Sequence, residues 1–577
     1  MSGSVESLAH QLAWVPANYL EEPLRLDRVV VIGENPHDYT AQISSKGYDV
    51  SWFSTPDEFH SSSTGAEAVS RPTAIVYVPK RIAAMEEASR AALQASEELV
   101  SIVKEVHKDS LSNKVFVITE NMFEASSATA LSQSPLRGLS RIIASELPDL
   151  WGGMIDVEQP DFPLNIMRYV KGRDVIRVMD GIPRVSRLRP LPRDKMHDKK
   201  GQPTALPRPE GTYVITGGLG ALGLEVAQFL VSKGARRLVL LSRRALPPRS
   251  EWQRAPKALL PALEQVKSLE AMGATVYSLP LDISAQTAAA DLQRHLSDLQ
   301  LPPVLGVVHA ADVLENELIL EITSEAFGRV LEPKMTGALA LHKAFPPKSL
   351  DFFLLFSSFG QLFGFPGQGS YGSANAFLDG LATHRRGLGD NAISLLWTSW
   401  RGAGMASSTE FISAELESKG ITDISAEDAF RAWEHIAKFD VDRAVVLRSS
   451  VFDHDEELPT DLVADIAVRR SVKNDAVVKR SGDDWAANDI AKDGPELDEY
   501  LERKIRGCVA DVLMLGGIDE VAPHAALSDL GLDSVMTVGL RKKLQSALKI
   551  KVPPTLTWSH PTCKHLVGWF KEKVQSN

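Results

Sequence analysis

Short apolar runs alternate with longer stretches of helical periodicity from the start of the chain to about Val451. Continuous apolar runs of about four to eight residues are typical of parallel strands that are buried on both faces of a sheet. Three such runs stand near the beginning: R-V-V-V-I-G at 28–33, A-I-V-Y-V at 74–78 and K-V-F-V-I-T at 114–119. The alternation predicts an α/β fold.

Helical periodicity in the same region predicts helices near 91–106 and over 136–146, with Ile142 and Ile143 facing inward. Asp180-Gly181, between two apolar runs, predicts a hairpin turn. The first apolar run is followed by E-N-P-H-D-Y, which offers no small-residue turn into a helix and hence no phosphate loop. A second nucleotide site is the alternative, but the pattern favours a structural subdomain over residues 1–192.

Changes in composition mark the remaining boundaries. Residues 193–209 are charged and Pro-rich, which suits a linker, and a second α/β domain is predicted over 210–452. Residues 453–494 are polar and lack a sustained period, which predicts a flexible tether. Helical periodicity returns in 495–577. One helix face there carries Leu497, Leu501, Ile505, Cys508, Val509 and Val512.

Length and charge limit the classes of protein that this chain can be. A chain of 577 residues is too long for one core, and a net charge of −11 argues against nucleic acid as the main partner. The only cysteines, Cys508 and Cys563, suit neither a disulfide framework nor a zinc site, so a reducing, cytoplasmic compartment is expected. We find no secretion signal and no apolar run long enough to span a membrane.

A glycine-rich turn at T-G-G-L-G-A-L-G is the first candidate for chemistry, because it follows a strand-like Y-V-I and precedes a plausible helix. Glycines at this spacing allow a tight turn and a close approach of the backbone to a pyrophosphate, which the helix N-terminus then stabilises. The residues predicted to bind the dinucleotide here are Thr216, Gly217, Gly218, Leu219, Gly220, Leu222 and Gly223.

The next strand, R-L-V-L-L, ends at Ser242, Arg243 and Arg244. An NAD site usually has an acidic residue there, whereas a hydroxyl and guanidinium groups suit a 2′-phosphate, so NADPH is the expected cofactor. The alternative is a solvated strand end. Two later strand ends should reach the same crevice and contribute further cofactor-binding residues. These are Asp282, Ile283, His309, Ala310 and Ala311.

Four polar residues form a candidate catalytic set. Ser358 lies thirteen residues before Tyr371, Asn375 lies four after it, and Lys334 precedes both on a predicted helix. Reduction of a ketone by hydride needs an acid at the oxygen, and a nearby ammonium would lower the pKa of a tyrosine toward working pH. We expect Ser358 to donate a second hydrogen bond to the developing oxyanion. Each residue alone also has an ordinary structural interpretation, but their joint spacing behind a dinucleotide loop favours catalysis.

The stretch Y-G-S-A-N-A-F-L-D is similar to the tyrosine–asparagine motif of ketoreductase domains in polyketide synthases, a branch of the short-chain dehydrogenases. The resemblance covers 211–451 and implies Tyr371 as proton donor with Ser358 as its partner. It places Lys334 and Asn375 in the two supporting roles, exchanged relative to ordinary short-chain dehydrogenases.

Residues 1–190, including S-P-L-R-G-L-S-R-I-I-A-S-E-L-P-D-L-W-G-G, resemble the structural half of such ketoreductases, and W-T-S-W-R-G-A-G-M looks closest to the fungal 6-methylsalicylic acid synthases. The family's stereochemical markers, at Leu314-Glu315-Asn316 and Phe363, leave the configuration of the alcohol open.

A second motif, D-L-G-L-D-S-V-M-T-V-G-L-R-K-K-L, holds Ser534 at the start of an amphipathic helix. Asp and Ser are ordinary helix caps, which is the alternative interpretation. However, the segment resembles an acyl carrier domain, and the resemblance implies that Ser534 bears 4′-phosphopantetheine, added by a phosphopantetheinyl transferase. The chain is therefore expected to hold two Rossmann-like subdomains of the short-chain dehydrogenase type, the first structural and the second NADPH-binding, followed by a small four-helix acyl carrier domain.

The leading hypothesis is NADPH-dependent reduction of a β-ketoacyl thioester on a carrier domain in polyketide biosynthesis. A free-standing carbonyl reductase with a vestigial carrier domain and a non-catalytic docking or scaffold module are the alternatives. No motif of a condensing or acyltransferase domain is present, so ketosynthase and acyltransferase partners are expected in cis or in trans.

Overall fold

The computed structural model contains two compact units. Its described residues are 4–20, 22–62, 72–109, 113–169, 175–196, 207–402, 416, 419–452, 458–470, 495–513, 515, 517–527, 530–532, 534–548, 550, 552, 556, 560, 562 and 563–576. The first unit comprises Met1–Ser408, Lys419–Ser450 and Leu458–Ala467, and the second comprises Thr409–Ser418, Val451–Glu457 and Val468–Asn577.

Fifteen strands of the described residues form one sheet in the first unit. Those of its first half are β1 (Ala9–Pro16), β2 (Arg28–Gly33), β3 (Asp49–Phe53), β4 (Thr73–Val78), β5 (Lys114–Glu120), β6 (Trp151–Val157), β7 (Val175–Met179) and β8 (Ile182–Pro190). The second half adds β9 (Thr212–Thr216), β10 (Arg237–Ser242), β11 (Thr275–Pro280), β12 (Val304–His309), β13 (Phe352–Ser358) and β14 (Ala392–Trp397). The fifteenth strand of the sheet, and its last in chain order, is β16 (Arg443–Val446). Outside this sheet, β15 (Ile421–Thr422) pairs with β17 (Arg448–Ser449).

Helices cover both faces of this sheet. The first half has α1 (Tyr39–Ser45), α2 (Pro56–Ser62), α3 (Ala88–Asp109), α4 (Ala128–Gln133), α5 (Pro135–Glu146) and α6 (Leu164–Tyr169). The second half has α7 (Ala221–Ser232), α8 (Leu260–Ala271), α9 (Ala288–Asp298), α10 (Ser324–Ala344), α11 (Gly360–Phe363), α12 (Gly369–Gly387) and α13 (Ala426–Ile436). The strands are accordingly apolar on both sides, as in β4, where all six residues are buried.

The predicted elements of the first half are present. Strand β2 has the predicted bounds, and β4 and β5 each extend one residue beyond the prediction. Ile142 and Ile143 of α5 are both fully buried, as expected. Asp180 and Gly181 connect β7 to β8 with φ values of 53° and 73°, the left-handed conformation that a two-residue hairpin turn requires.

The two halves are joined through the N-terminal strand. The sheet order is β11-β10-β9-β12-β13-β14-β16-β1-β8-β7-β6-β5-β4-β2-β3. Strand β1 pairs antiparallel with β16 on one side and with β8 on the other. Strands β2–β7 of the first half, and β9–β14 with β16 of the second, each form a doubly wound parallel sheet, whereas β8 pairs antiparallel with β7; β1 makes the two halves continuous.

The halves also meet through the crossing of α5 and α12. A Cβ at Gly138 would lie 2.2 Å from the Gly372 carbonyl oxygen, so the glycine allows the two backbones to approach. Arg137 donates to the Ala376 carbonyl at 2.6 Å. Glu146, at the end of α5, accepts backbone N–H groups of Ile319 at 2.7 Å and Gly367 at 2.8 Å. The first half therefore holds the loops that precede and flank α12.

Part of the predicted flexible tether, Leu458–Ala467, is packed on the first unit. Leu462 and Val463 are buried, and Asp461 and Asp465 form ion pairs with Arg187 and Arg189. Charge pairing with β8 and two apolar side chains keep this segment on the first unit. Much of the rest of the predicted tether, including 471–494, lies outside the described residues, as do 197–206 of the predicted linker.

The second unit contains two short paired strands, β18 (Val451–Phe452) and β19 (Val468–Arg469), and three helices among its described residues. These helices are α14 (Pro495–Leu513), α15 (Ser534–Leu548) and α16 (Cys563–Ser576). They enclose a core that includes the whole predicted apolar face of α14, together with Leu540, Leu544, Leu566 and Phe570. The expected fourth helix would fall largely on residues outside the described ones. Both cysteines are buried and unbridged.

Candidate active site

The glycine-rich turn connects β9 to α7 with the geometry that a dinucleotide loop requires. Gly217 has a φ of 64°, and a Cβ there would lie 2.6 Å from the Ala310 carbonyl oxygen. A Cβ on Gly223 would lie 2.3 Å from the Gly217 carbonyl oxygen. Only glycine fits these two positions, so the turn stays flat against β12 and α7 begins directly after it. The resulting backbone cradle at the helix N-terminus fits a diphosphate.

Thr216 at the end of β9 and His309 at the end of β12 are both buried beside the glycine turn. The pKa of His309 is lowered to about 3, mainly by burial and then by Lys334, so the imidazole is neutral. Its Nε2 lies 3.0 Å from the Lys334 carbonyl oxygen, which can only accept, so Nδ1 accepts the Thr216 hydroxyl at 2.7 Å. The Thr216 oxygen in turn accepts the N–H groups of Ala310 and Ala311, each at 3.2 Å. This network fixes the end of β12 beside the glycine turn.

The predicted nucleotide-selecting residues lie at neighbouring strand ends. Arg243 and Arg244 are exposed at the end of β10, and the Ser242 hydroxyl donates to the Arg244 carbonyl. Asp282 is exposed, and its carboxylate accepts the Ser284 N–H at 3.0 Å, while Ile283 is buried. Strands β9, β10, β11 and β12 are adjacent and parallel, so these ends share one edge of the sheet.

The four predicted catalytic residues come from three elements. Ser358 ends β13, Lys334 lies in α10, and Tyr371 and Asn375 lie one turn apart in α12. The Lys334 ammonium donates to the Asn375 side-chain oxygen at 2.9 Å and to the Phe356 carbonyl at 3.0 Å. The Asn375 amide donates to the Tyr371 carbonyl at 2.8 Å. The structure therefore places Asn375 as the residue that holds Lys334 beside the tyrosine.

A carboxylate that the sequence did not single out completes the site. Asp312 follows β12 in the run H-A-A-D, and its Oδ2 accepts the Tyr371 hydroxyl at 3.1 Å. The same oxygen lies 3.4 Å from the Lys334 ammonium. The available signal was its place at the carboxyl end of a central parallel strand, beside the predicted Ala310 and Ala311.

The expected lowering of the Tyr371 pKa by Lys334 is not what the structure has. Burial raises the pKa of Tyr371 well above its usual value, and the Asp312 carboxylate adds to this, whereas hydrogen bonds with Asn375 and Ser358 act in the opposite direction. The Lys334 nitrogen lies 5.3 Å from the centre of the tyrosine ring, as a cation–π contact, and it directs hydrogen bonds to other partners. Burial also lowers the pKa of Lys334 and raises the pKa of Asp312. Tyr371 is thus held as a neutral phenol, the form that can give a proton.

The corresponding crevice of the first half lacks these features. A cavity of about 310 Å³ lies at the ends of β2, β4 and β5, but β2 leads into α1 with the single glycine Gly33 and without a glycine-rich turn. Arg81, on its wall, is paired with Glu34 and Glu120. Two carboxylates at this edge disfavour phosphate, so the second nucleotide site considered from the sequence gains no support.

In the second unit, Ser534 is the first residue of α15. This is the position predicted from the motif, at the N-terminal end of a helix, where an attached phosphodiester is stabilised. The Ser534 side chain and Asp533 lie outside the described part of the chain. Within the described residues of both units, no helix combines the length and hydropathy needed to cross a bilayer.

Comparisons with known proteins identify both domains. Residues 211–402 match the KR domain family, and residues 503–570 match the phosphopantetheine attachment site family. The chain is 55% identical over 577 residues to a 6-methylsalicylic acid synthase of Aspergillus clavatus, with 100% of this chain and 33% of that protein covered. It is 46% identical over 578 residues to a mellein synthase of Phaeosphaeria nodorum, with 100% and 32% covered. The chain thus spans about a third of the length of these relatives.

A solved structure agrees with the fold. The ketoreductase from the first module of phoslactomycin biosynthesis in Streptomyces sp. HK803 has a TM-score of 0.59 and 27% identity, and the match covers 77% of this chain and 94% of that one. The chain thus contains a KR domain and a phosphopantetheine attachment site, which is the domain content of a ketoreductase component of the polyketide synthase class. Within that class it is similar along its whole length to fungal 6-methylsalicylic acid synthases, as predicted. Its cofactors are NADPH and covalent 4′-phosphopantetheine.

Proposed function

We propose that this chain reduces a β-ketoacyl thioester, carried on phosphopantetheine at Ser534, to the β-hydroxyacyl thioester. One observation carries the proposal: a buried Lys334–Asn375 pair and the neutral phenol of Tyr371 are assembled beside a glycine turn that fits a dinucleotide. NADPH, when bound, supplies the hydride. The glycine turn would hold its diphosphate, and Ser242, Arg243 and Arg244 would hold its 2′-phosphate.

Residues of the chain would supply the proton that the ketone oxygen takes up. As charge develops on the ketone oxygen, Tyr371 gives it a proton and Ser358 donates a second hydrogen bond. Ser358 accepts the Gly360 N–H at 3.2 Å and directs its own hydrogen to the Tyr371 oxygen in the resting site, so that hydrogen is the one it would turn to the ketone oxygen. Lys334, with a buried positive charge, stabilises the tyrosinate that results.

The relatives support a narrower assignment of the product. We propose that the full synthase forms 6-methylsalicylic acid or a related aromatic acid, with ketosynthase and acyltransferase domains in cis or in trans, in the cytoplasm. A phosphopantetheinyl transferase would modify Ser534. Tethering keeps the thioester at high local concentration near the reductase, without diffusion through bulk solvent.

The reductase proposal is tested by following NADPH oxidation with β-ketoacyl thioesters of several chain lengths. We expect turnover with the parent chain and a loss of at least about 100-fold in kcat with Tyr371→Phe, because the acid is removed while the ring stays. A Tyr371→Phe variant as active as the parent would remove tyrosine from the mechanism.

The carrier proposal is tested separately by mass spectrometry after treatment with a phosphopantetheinyl transferase and coenzyme A. The parent should gain one phosphopantetheine, and Ser534→Ala should gain none. Ser534→Ala should still reduce soluble thioesters at the parental rate. An unchanged mass in the parent would favour a free-standing reductase with a vestigial carrier.

A further inference from the structure

Asp312 lies between the Tyr371 hydroxyl and the Lys334 ammonium, which make no direct hydrogen bond with each other among the described contacts. Its Oδ2 lies 3.1 Å from the Tyr371 hydroxyl and 3.4 Å from the Lys334 ammonium. The Lys334 ammonium has three N–H donors, and the other two are used by the Phe356 carbonyl and the Asn375 side chain. Among the described residues, Asp312 therefore provides a route from Lys334 to the tyrosine hydroxyl through a group that can take up and release a proton, which the Asn375 amide cannot do.

The exposure of the two charged groups differs in a way that matters for proton supply. The Lys334 side chain is 2% exposed, whereas the Asp312 side chain is 18% exposed. A tyrosinate formed in turnover would lie against the Asp312 carboxylate, and two negative oxygens at that distance repel strongly in a buried site. That repulsion favours protonation of either the Asp312 carboxylate or the Tyr371 oxygen.

We propose that Asp312 is the proton-relay residue that restores Tyr371 after each turnover. This inference rests on the proposed reductase function. In the chemical step the Tyr371 O–H bond breaks, and its proton forms the O–H bond of the alcohol as hydride adds to the carbonyl carbon. Asp312 then takes a proton from the Lys334 ammonium and passes it to the tyrosinate. After the product leaves, the neutral Lys334 amine regains a proton from water through Asp312, the more exposed of the two groups.

The same geometry gives Asp312 a second effect, on the resting site. By accepting the Tyr371 hydroxyl, the carboxylate holds the phenol in place, and the hydroxyl must turn from Asp312 to the ketone oxygen when substrate binds. Since the two acceptors compete for one hydrogen, a weaker acceptor at position 312 would release the hydroxyl but could not return a proton.

The test uses the full chain and acetoacetyl N-acetylcysteamine thioester, with NADPH oxidation as the readout. We expect Asp312→Gly to lower kcat at least about tenfold, with KM within about twofold, because proton return is lost while binding surfaces remain. Added formate, which carries a carboxylate into the space left by the side chain, should restore kcat several-fold. Asp312→Glu should retain more activity than Asp312→Asn.

Asp298→Asn is the matched control, since Asp298 is exposed at the end of α9. It should leave kcat unchanged, and formate should affect neither it nor the parent. Undiminished activity in Asp312→Gly, or a loss that formate does not restore, would overturn the relay.

A second readout does not depend on turnover. Ultraviolet titration of the parent minus Tyr371→Phe reports the ionisation of Tyr371, and removal of Asp312 should shift that ionisation to lower pH. An unchanged titration in Asp312→Gly would overturn the contact on which the proposal stands. If the parent reduces no β-ketoacyl thioester at all, the reductase function fails, whereas the titration still decides whether Asp312 controls the tyrosine.

Discussion

At the scale of single residues, the site is built by one buried ammonium and the acceptors that surround it. Lys334 is almost fully buried, and a buried charge is tolerated only when its hydrogen bonds are satisfied. Asn375 supplies one acceptor and is itself held by the Tyr371 carbonyl. The asparagine therefore sets the position of the lysine relative to the tyrosine.

We predict that Asn375→Ala lowers the free energy of unfolding by about 1–3 kcal/mol, because one donor of the buried Lys334 loses its acceptor. It should also lower kcat. Urea unfolding and NADPH oxidation measure the two effects.

Asn391→Ala is the control that shows whether a loss of stability alone lowers kcat. Asn391 is partly buried and donates to the Asp351 carbonyl at 2.6 Å, before β14 and outside the proposed site. Its loss should cost similar stability with kcat unchanged. Equal losses of kcat in the two variants would contradict a specific role for Asn375.

At the scale of elements, the α5–α12 crossing connects the structural half to the helix that carries Tyr371. Helix α5 was predicted from its periodicity, and its inward-facing isoleucines were assigned correctly. The partner of that face was not predictable, because periodicity reports which side of a helix is buried and not what covers it. The structure shows that Gly138 and Gly372 allow α5 and α12 to approach closely.

We predict that Gly138→Ala forces the two helices apart, because the new methyl group would lie 2.2 Å from the backbone oxygen of Gly372. The expected loss is about 1–3 kcal/mol in the free energy of unfolding, with a lower kcat as α12 shifts. Thermal unfolding and steady-state kinetics provide the measurements.

Gly328→Ala is the matched control inside α10. A Cβ there would meet only the Glu332 carboxylate, at 4.0 Å. Because alanine favours helix, the variant should gain up to about 1 kcal/mol. A Gly138→Ala variant as stable as Gly328→Ala would show that the close crossing is not required.

At the scale of the whole first unit, buried histidines connect stability to pH. Burial is the main cause that lowers the pKa of His309 to about 3 and the pKa values of His10 and His342 to about 4. Each binds a proton in the unfolded chain below about pH 6.5 but not in the folded one, so acid favours unfolding. Asp156 acts in the opposite direction, because burial raises its pKa from 3.8 to about 6. Between these two pKa values the folded chain binds a proton that the unfolded chain does not, so acid stabilises the fold at this group.

These groups together predict that stability is greatest above about pH 6.5 and falls as the pH drops toward 4, since the histidines with a lowered pKa, which also include His384 and His435, outnumber the carboxyl groups with a raised pKa, which also include Asp312 and Glu97. The free energy of unfolding, measured in urea at several pH values, should fall steadily over this window. In His10→Gln the slope should be smaller by about 1.4 kcal/mol per pH unit, because one titrating group is removed. Identical slopes in parent and variant would contradict a buried, neutral His10.

Features that depend on neighbouring residues could be predicted from the order of the amino acids alone. Strands β2, β4 and β5, the Asp180-Gly181 hairpin, the glycine turn from Thr216 and the start of α15 at Ser534 follow from local periodicity and turn chemistry. Spacing also named Ser358, Lys334, Tyr371 and Asn375 as a candidate set, which three elements of the structure bring to one edge of the sheet.

Features that depend on residues far apart in the chain appear only in the folded protein. Asp312 reaches Tyr371 across 59 positions and Lys334 reaches Asn375 across 41, so no local pattern reports either contact. The joining of both halves through β1, and the ordering of Leu462 and Val463 on the first unit, are likewise long-range. The acidity of the tyrosine belongs to the same group, because burial and a facing carboxylate set it, and both exist only once the chain has folded.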